Sequence, residues 1–223
     1  MATLRARAQT IENTFQNDVI EDMLASGWQL GQPANYNREL ALYSEDLITY
    51  AKKTHPESWK KLEQQYGAAV ETSFLKTVER TLNNPDKGTL WLLRNEIKDR
   101  GAKFKLCAGI PDHALNPEAN VKYEQNIFRV VPELVYSPNG YQGRIDLTLF
   151  VNGIPVATCE LKSEFKQALD NAKIQYMKDR LPKDPETRKV EPLLTFKRGA
   201  LVHFAVSQYN VAMTTRLAGK DTF

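Results

Sequence analysis

Apolar residues recur at helical spacing through the first hundred positions of the chain. Between residues 10 and 26 they fall three or four positions apart, which predicts an amphipathic helix. The stretch 44–83 is rich in Glu, Lys and Leu and predicts two or three helices, with a break at His55-Pro56 because the residue before a proline avoids helical geometry. A further helix is expected over 89–99, so the N-terminal portion should be mainly helical.

The pattern changes near residue 104, where short apolar and β-branched runs replace the helical spacing. We predict one helix over 164–180 and strands over 104–108, 126–136, 145–150, 156–161, 200–206 and 210–214. This order of elements predicts an α/β (α+β) fold in which helices flank a mixed central sheet.

The two strands on either side of Asn152-Gly153 form the most informative stretch, because Asn-Gly is the strongest short signal for a hairpin turn. Pairing outward from this turn brings Asp146 to within one residue of Glu160 on the returning strand. Lys162 lies two residues beyond Glu160 and shares its face of the strand. Two carboxylates held side by side repel unless a cation or a proton lies between them. The pattern therefore indicates a divalent-metal site with an ammonium group beside it.

Metal-assisted hydrolysis, most often of a phosphodiester, is the chemistry that uses such a set. Carboxylate oxygens suit Mg²⁺, which keeps several waters and takes one or two carboxylates. Lys162 would orient the attacking water or stabilise charge that develops in the transition state. The alternative is a surface strand with an ordinary ion pair. The apolar run 155–159 before Glu160 argues against this alternative, because an unpaired charge is costly to bury.

Composition limits the class of protein without choosing a function. Hydrophobic residues make up 42% of the chain and charged residues 26%, which is typical of a soluble globular protein. We expect a cytoplasmic protein with no membrane partner, since there is no spanning apolar run and no signal-peptide core. The net charge of +3 permits a nucleic-acid partner without requiring one. Cys107 and Cys159 lack metal-ligand spacing and are expected to be reduced core thiols.

Five runs in the second half of the chain carry a family resemblance. They read YSP over 136–138, DLTLFVNGIPVATCELK over 146–162, QYMKDRLP over 175–182, LVHFAV over 201–206 and MTTRLAG over 213–219. Together they resemble the N-terminal nuclease domain of the restriction (R) subunit of type I restriction–modification enzymes, within the PD-(D/E)xK superfamily. The Asp and Glu-x-Lys triad alone is a weak motif, whereas the ordered series of runs is specific.

The resemblance implies a restriction-endonuclease-like core and a Mg²⁺-dependent endonuclease that acts on double-stranded DNA, with Mn²⁺ able to replace Mg²⁺. Asp146, Glu160 and the backbone carbonyl of Leu161 would bind the metal. Lys162 would be the catalytic lysine.

The same resemblance suggests residues that position DNA. Gln175 matches the glutamine of a Gln-x-x-x-Tyr motif, but the residue four positions on is Asp179, so the adjacent Tyr176 is the second candidate. For Tyr176 the alternative is burial against the sheet. The superfamily often adds a glutamate from the first helix as a further metal ligand. Glu12 and Glu21 are the candidates, and solvated helix charges are the alternative interpretation for both.

Other polar residues are candidates for the metal site and for DNA contact. Asp112 follows Pro111 as a literal Pro-Asp pair, but it lies in a predicted loop, so Asp146 is preferred. Non-specific phosphate contacts are expected from basic residues near the metal, with a solvated surface as the alternative. The candidates are Arg94, Lys98, Arg100, Lys103, Lys105, Lys166, Lys173, Lys178 and Arg180.

We expect a single nuclease domain over 1–223, with 1–103 mainly helical and 104–223 forming the catalytic α/β core. By the resemblance, the chain is a fragment of a subunit that also carries an ATP-driven motor and assembles with methylase and specificity subunits. ATP would serve that motor and not this chain. Two alternatives stay open: a degenerate nuclease fold that only docks DNA or partner subunits, and a stand-alone defence or repair nuclease. The intact Asp146, Glu160 and Lys162 argue against the degenerate fold.

Overall fold

A computed structural model describes residues 2–111, 116–162, 168–184, 187–219 and 222–223, with side chains described from residue 13 onward except that of residue 168. The helices are α1 (Ala2–Ala25), α2 (Ser44–Thr54), α3 (Pro56–Tyr66), α4 (Val70–Leu82), α5 (Thr89–Arg94), α6 (Pro117–Glu124) and α7 (Ala168–Lys178). The strands are β1 (Gln29–Leu30), β2 (Glu96–Asp99), β3 (Ala102–Lys105), β4 (Phe128–Val135), β5 (Arg144–Val151), β6 (Ile154–Lys162), β7 (Val202–Ser207) and β8 (Val211–Thr214).

Six of the strands form one mixed sheet in the order β1-β4-β5-β6-β7-β8, and β2 and β3 form a separate hairpin. Strand β5 is antiparallel to both of its neighbours, whereas β6 and β7 are parallel. A parallel pair needs a crossover connection, and α7 lies in the chain between these two strands. The predicted mixed sheet flanked by helices is thus confirmed.

Helices α2 to α5 pack around a core whose centre is aromatic. Trp59, Phe74 and Phe104 meet edge to face, with ring centroids 5.1 to 6.3 Å apart. Such contacts add attraction beyond the burial of the rings. Ile154 is buried in the same cluster, so this helical layer holds the first residue of β6 in place.

The hairpin turn between β5 and β6 is fixed by both of its residues. Asn152 and Gly153 have positive φ angles of +51° and +77°, as a type I′ turn requires. Asn152 is also buried: its side chain accepts a hydrogen bond from the Ile127 N–H and donates to the Leu106 carbonyl and to Asn126 Oδ1. The turn residue therefore ties the hairpin to the segments that precede β4.

Different helices cover the two faces of the sheet. Cys159 packs in a cluster with apolar residues of α1, whereas the hydroxyl of Thr158 contacts that of Tyr176 in α7 at 2.8 Å. Neighbouring residues of a strand point to opposite faces, so β6 is enclosed between these two helices. The α1 residues in contact are Phe15, Val19, Ile20 and Met23.

Some boundaries differ from those predicted. The helix expected over 89–99 ends at Arg94, where Asn95 turns extended, and Glu96–Asp99 form β2 instead. Asp99 is buried and accepts hydrogen bonds from the hydroxyls of Tyr66 and Thr77, which holds this segment as a strand against α3 and α4. The strand expected over 104–108 is β3, which runs from 102 to 105, and neither β1 nor α6 was expected.

No helix in the described part of the chain is long and apolar enough to cross a membrane.

A methyl group on Gly153 should destabilise the fold more than one on Gly27. Both glycines have positive φ, so each substitution to alanine carries a backbone cost of about 1–2 kcal/mol. At Gly153 the new Cβ would also lie 2.2 Å from the Tyr43 carbonyl oxygen, whereas at Gly27 it meets nothing within 4 Å. We expect Gly153→Ala to lose an extra 1–3 kcal/mol or so of unfolding free energy in urea titrations. Equal losses for the two variants would contradict the close approach of the turn to the start of α2.

Candidate active site

The strands β5 and β6 part at the position of the two carboxylates. A one-residue register shift midway along the hairpin brings Leu147 opposite Cys159, so Asp146 and Glu160 are the next residues in line. This shift accounts for the one residue by which pairing from the turn missed Glu160. The ladder stops there, and Asp146 Oδ2 instead accepts a hydrogen bond from the Leu161 N–H at 2.6 Å.

Glu160 is fully buried, with 0% of its surface exposed. Its Oε1 accepts a hydrogen bond from Arg180 Nε at 2.8 Å, while Oε2 is buried without a hydrogen-bond partner among the described residues. Burial raises the pKa of Glu160 to about 8, with Asp146 adding to the increase and Arg180 opposing it. A buried carboxylate with a free oxygen beside a second carboxylate strongly favours the approach of a cation.

Lys162 lies at the end of β6, half-buried and on the same face as Glu160. The parallel pairing of β6 with β7 continues as far as Lys162, which is opposite Ser207, so the backbone of this residue is fixed. Its charge is among those that lower the pKa of Glu160, which indicates that the two side chains interact electrostatically. The structure therefore brings together the three residues predicted from the hairpin.

Arg180 belongs to this site and not to the protein surface, which corrects its assignment as a DNA contact. Only 5% of the residue is exposed, and its charge pairs with Glu160. Ala172 and Tyr176 are buried in α7, and Arg180 continues their spacing of four just beyond the end of the helix. That spacing was the signal in the sequence that could have identified Arg180 as a buried residue.

From α1 a glutamine reaches the site, where the sequence had suggested a glutamate. Gln16 Nε2 donates to the main-chain carbonyl of Asp146 at 2.8 Å and to Glu133 Oε1 at 3.2 Å. Gln16 lies three and four positions before apolar residues that pack on the sheet, and a polar residue on that face was the available signal. Glu21 is exposed to solvent, and the side chain of Glu12 lies outside the described residues.

The two DNA-positioning candidates have different environments. Gln175 is half-buried on α7. Tyr176 is 0% exposed, and its hydroxyl contacts Thr158, which also contacts His203 Nδ1 at 2.7 Å. The prediction that Tyr176 positions DNA therefore needs correction, because its side chain joins α7 to the sheet inside the core.

Most of the basic candidates are not near the carboxylates. Five of them lie exposed on or beside the β2–β3 hairpin: Arg94, Lys98, Arg100, Lys103 and Lys105. This hairpin packs in the cluster that contains Ile154, at the opposite end of β6 from Glu160 and roughly 20 Å away along an extended strand. Lys173 and Lys178, on α7, are half-buried and exposed, respectively. Lys166 and Asp112 lie outside the described residues.

The donor set fits a hard cation. Among the described residues, no group of three or more His, Cys, Asp or Glu side chains could hold a metal ion, and the carboxylates at this site are those of Asp146 and Glu160. Two carboxylate groups leave room for the several waters that Mg²⁺ keeps. Cys159 is no competing ligand, because burial raises the pKa of its thiol to about 12. The unpartnered oxygen of Glu160 is the feature that most directly fits a bound cation.

The six-stranded mixed sheet is enclosed by helices, and its carboxylates lie where the pairing of β5 with β6 ends. This architecture is consistent with an α+β nuclease-like core. The chain matches the family described as type I restriction enzyme R protein N terminus over residues 9–222, and it belongs to that family. No curated protein matches the chain. Family membership thus confirms the resemblance and places the chain in the N-terminal region of a type I restriction enzyme R subunit.

Glu160→Gln should stabilise the protein relative to wild type, and increasingly so as the pH rises. The pKa of Glu160 is raised from 4.5 to about 8, so the folded state holds this proton more tightly than the unfolded state does. Wild type therefore loses stability as the pH rises between those values, whereas glutamine has no proton to lose and still offers Arg180 an acceptor.

Melting temperatures of both proteins in EDTA, compared from about pH 5 to about pH 8, check this expectation. Titrating groups remote from Glu160 cancel in the difference between the two proteins. A difference that stays flat or falls with pH would show that the ionised carboxylate is buried without a penalty.

Proposed function

We propose that this chain is a Mg²⁺-dependent endonuclease region that hydrolyses phosphodiester bonds of double-stranded DNA. The observation that carries the proposal is the buried Glu160, whose Oε2 has no partner among the described residues and whose neighbour is a second carboxylate. An ion pair that served only stability gains nothing from a free acceptor in the interior, because an unsatisfied buried oxygen costs about 1–3 kcal/mol. Glu191 Oε2 is also buried without a partner among the described residues, so the free oxygen of Glu160 argues for a cation only together with the second carboxylate beside it. A site that binds a cation needs such an oxygen.

Asp146 and Glu160, with the backbone carbonyl of Leu161, would hold Mg²⁺, and Mn²⁺ would be accepted in its place. The Leu161 N–H already engages Asp146, which keeps that carboxylate turned toward the opening between the strands. A bound Mg²⁺ supplies an activated water and neutralises charge on the phosphate.

Lys162 would act at the rim of the site. Its ammonium lies on the same face as Glu160, and its positive charge lowers the pKa of that carboxylate. We assign it the stabilisation of charge on the phosphate, or the orientation of the attacking water, at the edge of the opening. A lysine suits this role because its ammonium is a compact point charge on a flexible stem.

DNA would approach over α7. Gln175 is half-buried there, and Lys173 and Lys178 offer charge for the phosphate backbone. Contacts of this kind are salt-sensitive and do not read sequence. Target choice would then belong to the specificity subunit of a complex that also contains the methylase subunit.

Supercoiled plasmid should be nicked by wild type in Mg²⁺ at low salt, and Asp146→Ala and Lys162→Ala should reduce the rate by at least about 100-fold. Lys52→Ala is the matched control, since Lys52 pairs with Glu71 on the exposed surface of the helical layer. The control should nick as wild type does. Rates of relaxation on agarose gels, with EDTA as the blank, give the comparison.

Nicking that survives both site substitutions would exclude this assignment of the active site. A wild-type protein that binds Mg²⁺ through Asp146 and bends or retains DNA without nicking it would favour the docking module instead.

A further inference from the structure

The guanidinium of Arg180 spans the opening between the two strands that carry the carboxylates. Its Nε donates to Glu160 Oε1 at 2.8 Å, on β6. Its Nη2 donates to the main-chain carbonyl of Arg144, the first residue of β5. Its Nη1 donates to the hydroxyl of Tyr141 at 3.2 Å, in the loop before β5. One planar group thus connects both sides of the gap that opens beyond the last paired residues.

Arg180 is held in place independently of these three contacts. Its backbone N–H donates to the Gln175 carbonyl at 3.1 Å, which closes the C-terminal end of α7. One turn earlier, Tyr176 fastens the same helix to β6 through the hydroxyl of Thr158. The guanidinium therefore extends from a helix that is already anchored to the sheet.

The loop that supplies Tyr141 is also shaped for this contact. A Cβ on Gly143 would lie 2.1 Å from the Tyr141 ring, so the ring rests directly over the backbone of the glycine. This close approach brings the hydroxyl of Tyr141 to Arg180, with the ring 37% exposed.

Two connections among the described residues cross the opening at the level of the carboxylates. One is the hydrogen bond from the Leu161 N–H to Asp146, and the other is Arg180 with its three acceptors. Arg180 occupies Oε1 of Glu160 and leaves Oε2 free. Arg180 therefore links Glu160 to the start of β5, two residues before Asp146, and helps to hold the two carboxylates at their separation.

We propose that Arg180 is a positioning residue that sets the spacing of Asp146 and Glu160 and thereby makes the site selective for Mg²⁺ over the larger Ca²⁺. This inference rests on the proposed function, since it assumes that these carboxylates hold a divalent cation. Mg²⁺ demands near-ideal octahedral geometry at about 2.0–2.1 Å, whereas Ca²⁺ accepts flexible geometry at about 2.3–2.6 Å. Without Arg180, the site should therefore lose more of its affinity for Mg²⁺ than of its affinity for Ca²⁺.

The three hydrogen bonds depend on the shape of the guanidinium and not only on its charge. They lie on two strands and a loop, and a planar fork can meet all three at once. A lysine at this position keeps the charge but presents a single ammonium on a shorter reach. Arg180→Lys therefore separates the positioning role from a purely electrostatic one.

The test is the rise in melting temperature of the DNA-free protein as Mg²⁺ or Ca²⁺ is added, which reports the affinity for each cation. The proteins compared are wild type, Arg180→Lys, Arg180→Gln, Tyr141→Phe and Asp146→Ala. Arg198→Lys is the matched control, because Arg198 is also buried (9% exposed) but donates hydrogen bonds to Asn83 and to main-chain carbonyls of residues 39 and 40.

We expect both Arg180 variants to lose about 10-fold or more in Mg²⁺ affinity and roughly 3-fold or less in Ca²⁺ affinity. Tyr141→Phe, which removes one hydrogen bond from a partly exposed ring, should lower the ratio of Mg²⁺ to Ca²⁺ affinity in the same direction by about 2-fold. If the Arg180 variants fail to fold, the ratio measured for Tyr141→Phe tests the inference in their place. Arg198→Lys should keep the wild-type ratio.

An unchanged ratio in the Arg180 variants would overturn the inference and leave the metal site intact. A wild-type ratio in Arg180→Lys, with a reduced one in Arg180→Gln, would also overturn it, because charge alone would then suffice. If wild type binds neither cation, or Asp146→Ala binds both as wild type does, the proposed function itself fails and the inference fails with it.

Discussion

The burial of Glu160 beside Asp146 is the constraint on which the rest of the structure depends. A carboxylate with no exposed surface has lost its hydration, and a second carboxylate next to it makes ionisation less favourable still. Among the described residues, Arg180 is its buried partner, and one carboxylate oxygen is left without a hydrogen bond. Loss of Arg180 would leave the ionised Glu160 buried without its cation, at a cost of about 3–5 kcal/mol, so the pair and its neighbours must be held together. The features around the hairpin can be understood as the means of holding them.

Each element around the site contributes to that arrangement. The turn at Asn152-Gly153 and the register shift along the hairpin bring the carboxylates level with each other. The crossover helix α7, fastened through Tyr176, carries Arg180 to the point where the strands part. From the opposite face, α1 presents Gln16 to the backbone of Asp146. The helical layer of α2 to α5 holds the far end of β6, so both ends of the central strand are fixed.

The sequence was sufficient to predict those residues of the site whose positions follow from the regular two-residue repeat of β-strands. A turn of known type and a period of two along each strand were enough to place Asp146, Glu160 and Lys162 together, and the mixed sheet followed from the order of elements. The ordered series of sequence runs also allowed the family to be predicted, and the family match over residues 9–222 confirms that prediction.

The remaining features depend on contacts between residues distant in the chain. Arg180 looked like a surface cation because its buried acceptors come from strands that start far upstream. Tyr176 looked like a DNA contact because the core position of its ring depends on how α7 lies on the sheet. The segment 96–99 had helical composition, yet a buried Asp99 with two hydroxyl partners makes it a strand. In each case tertiary contacts outweighed the local pattern.

Anomalous diffraction from a crystal of the protein soaked in Mn²⁺ would test the central claim most directly. The account predicts one strong peak between the strands, within about 2–2.5 Å of Glu160 Oε2 and of the carboxylate of Asp146, with Arg180 still bonded to Oε1. A fully occupied peak elsewhere, or none at the hairpin while Glu160 keeps its free oxygen, would contradict it.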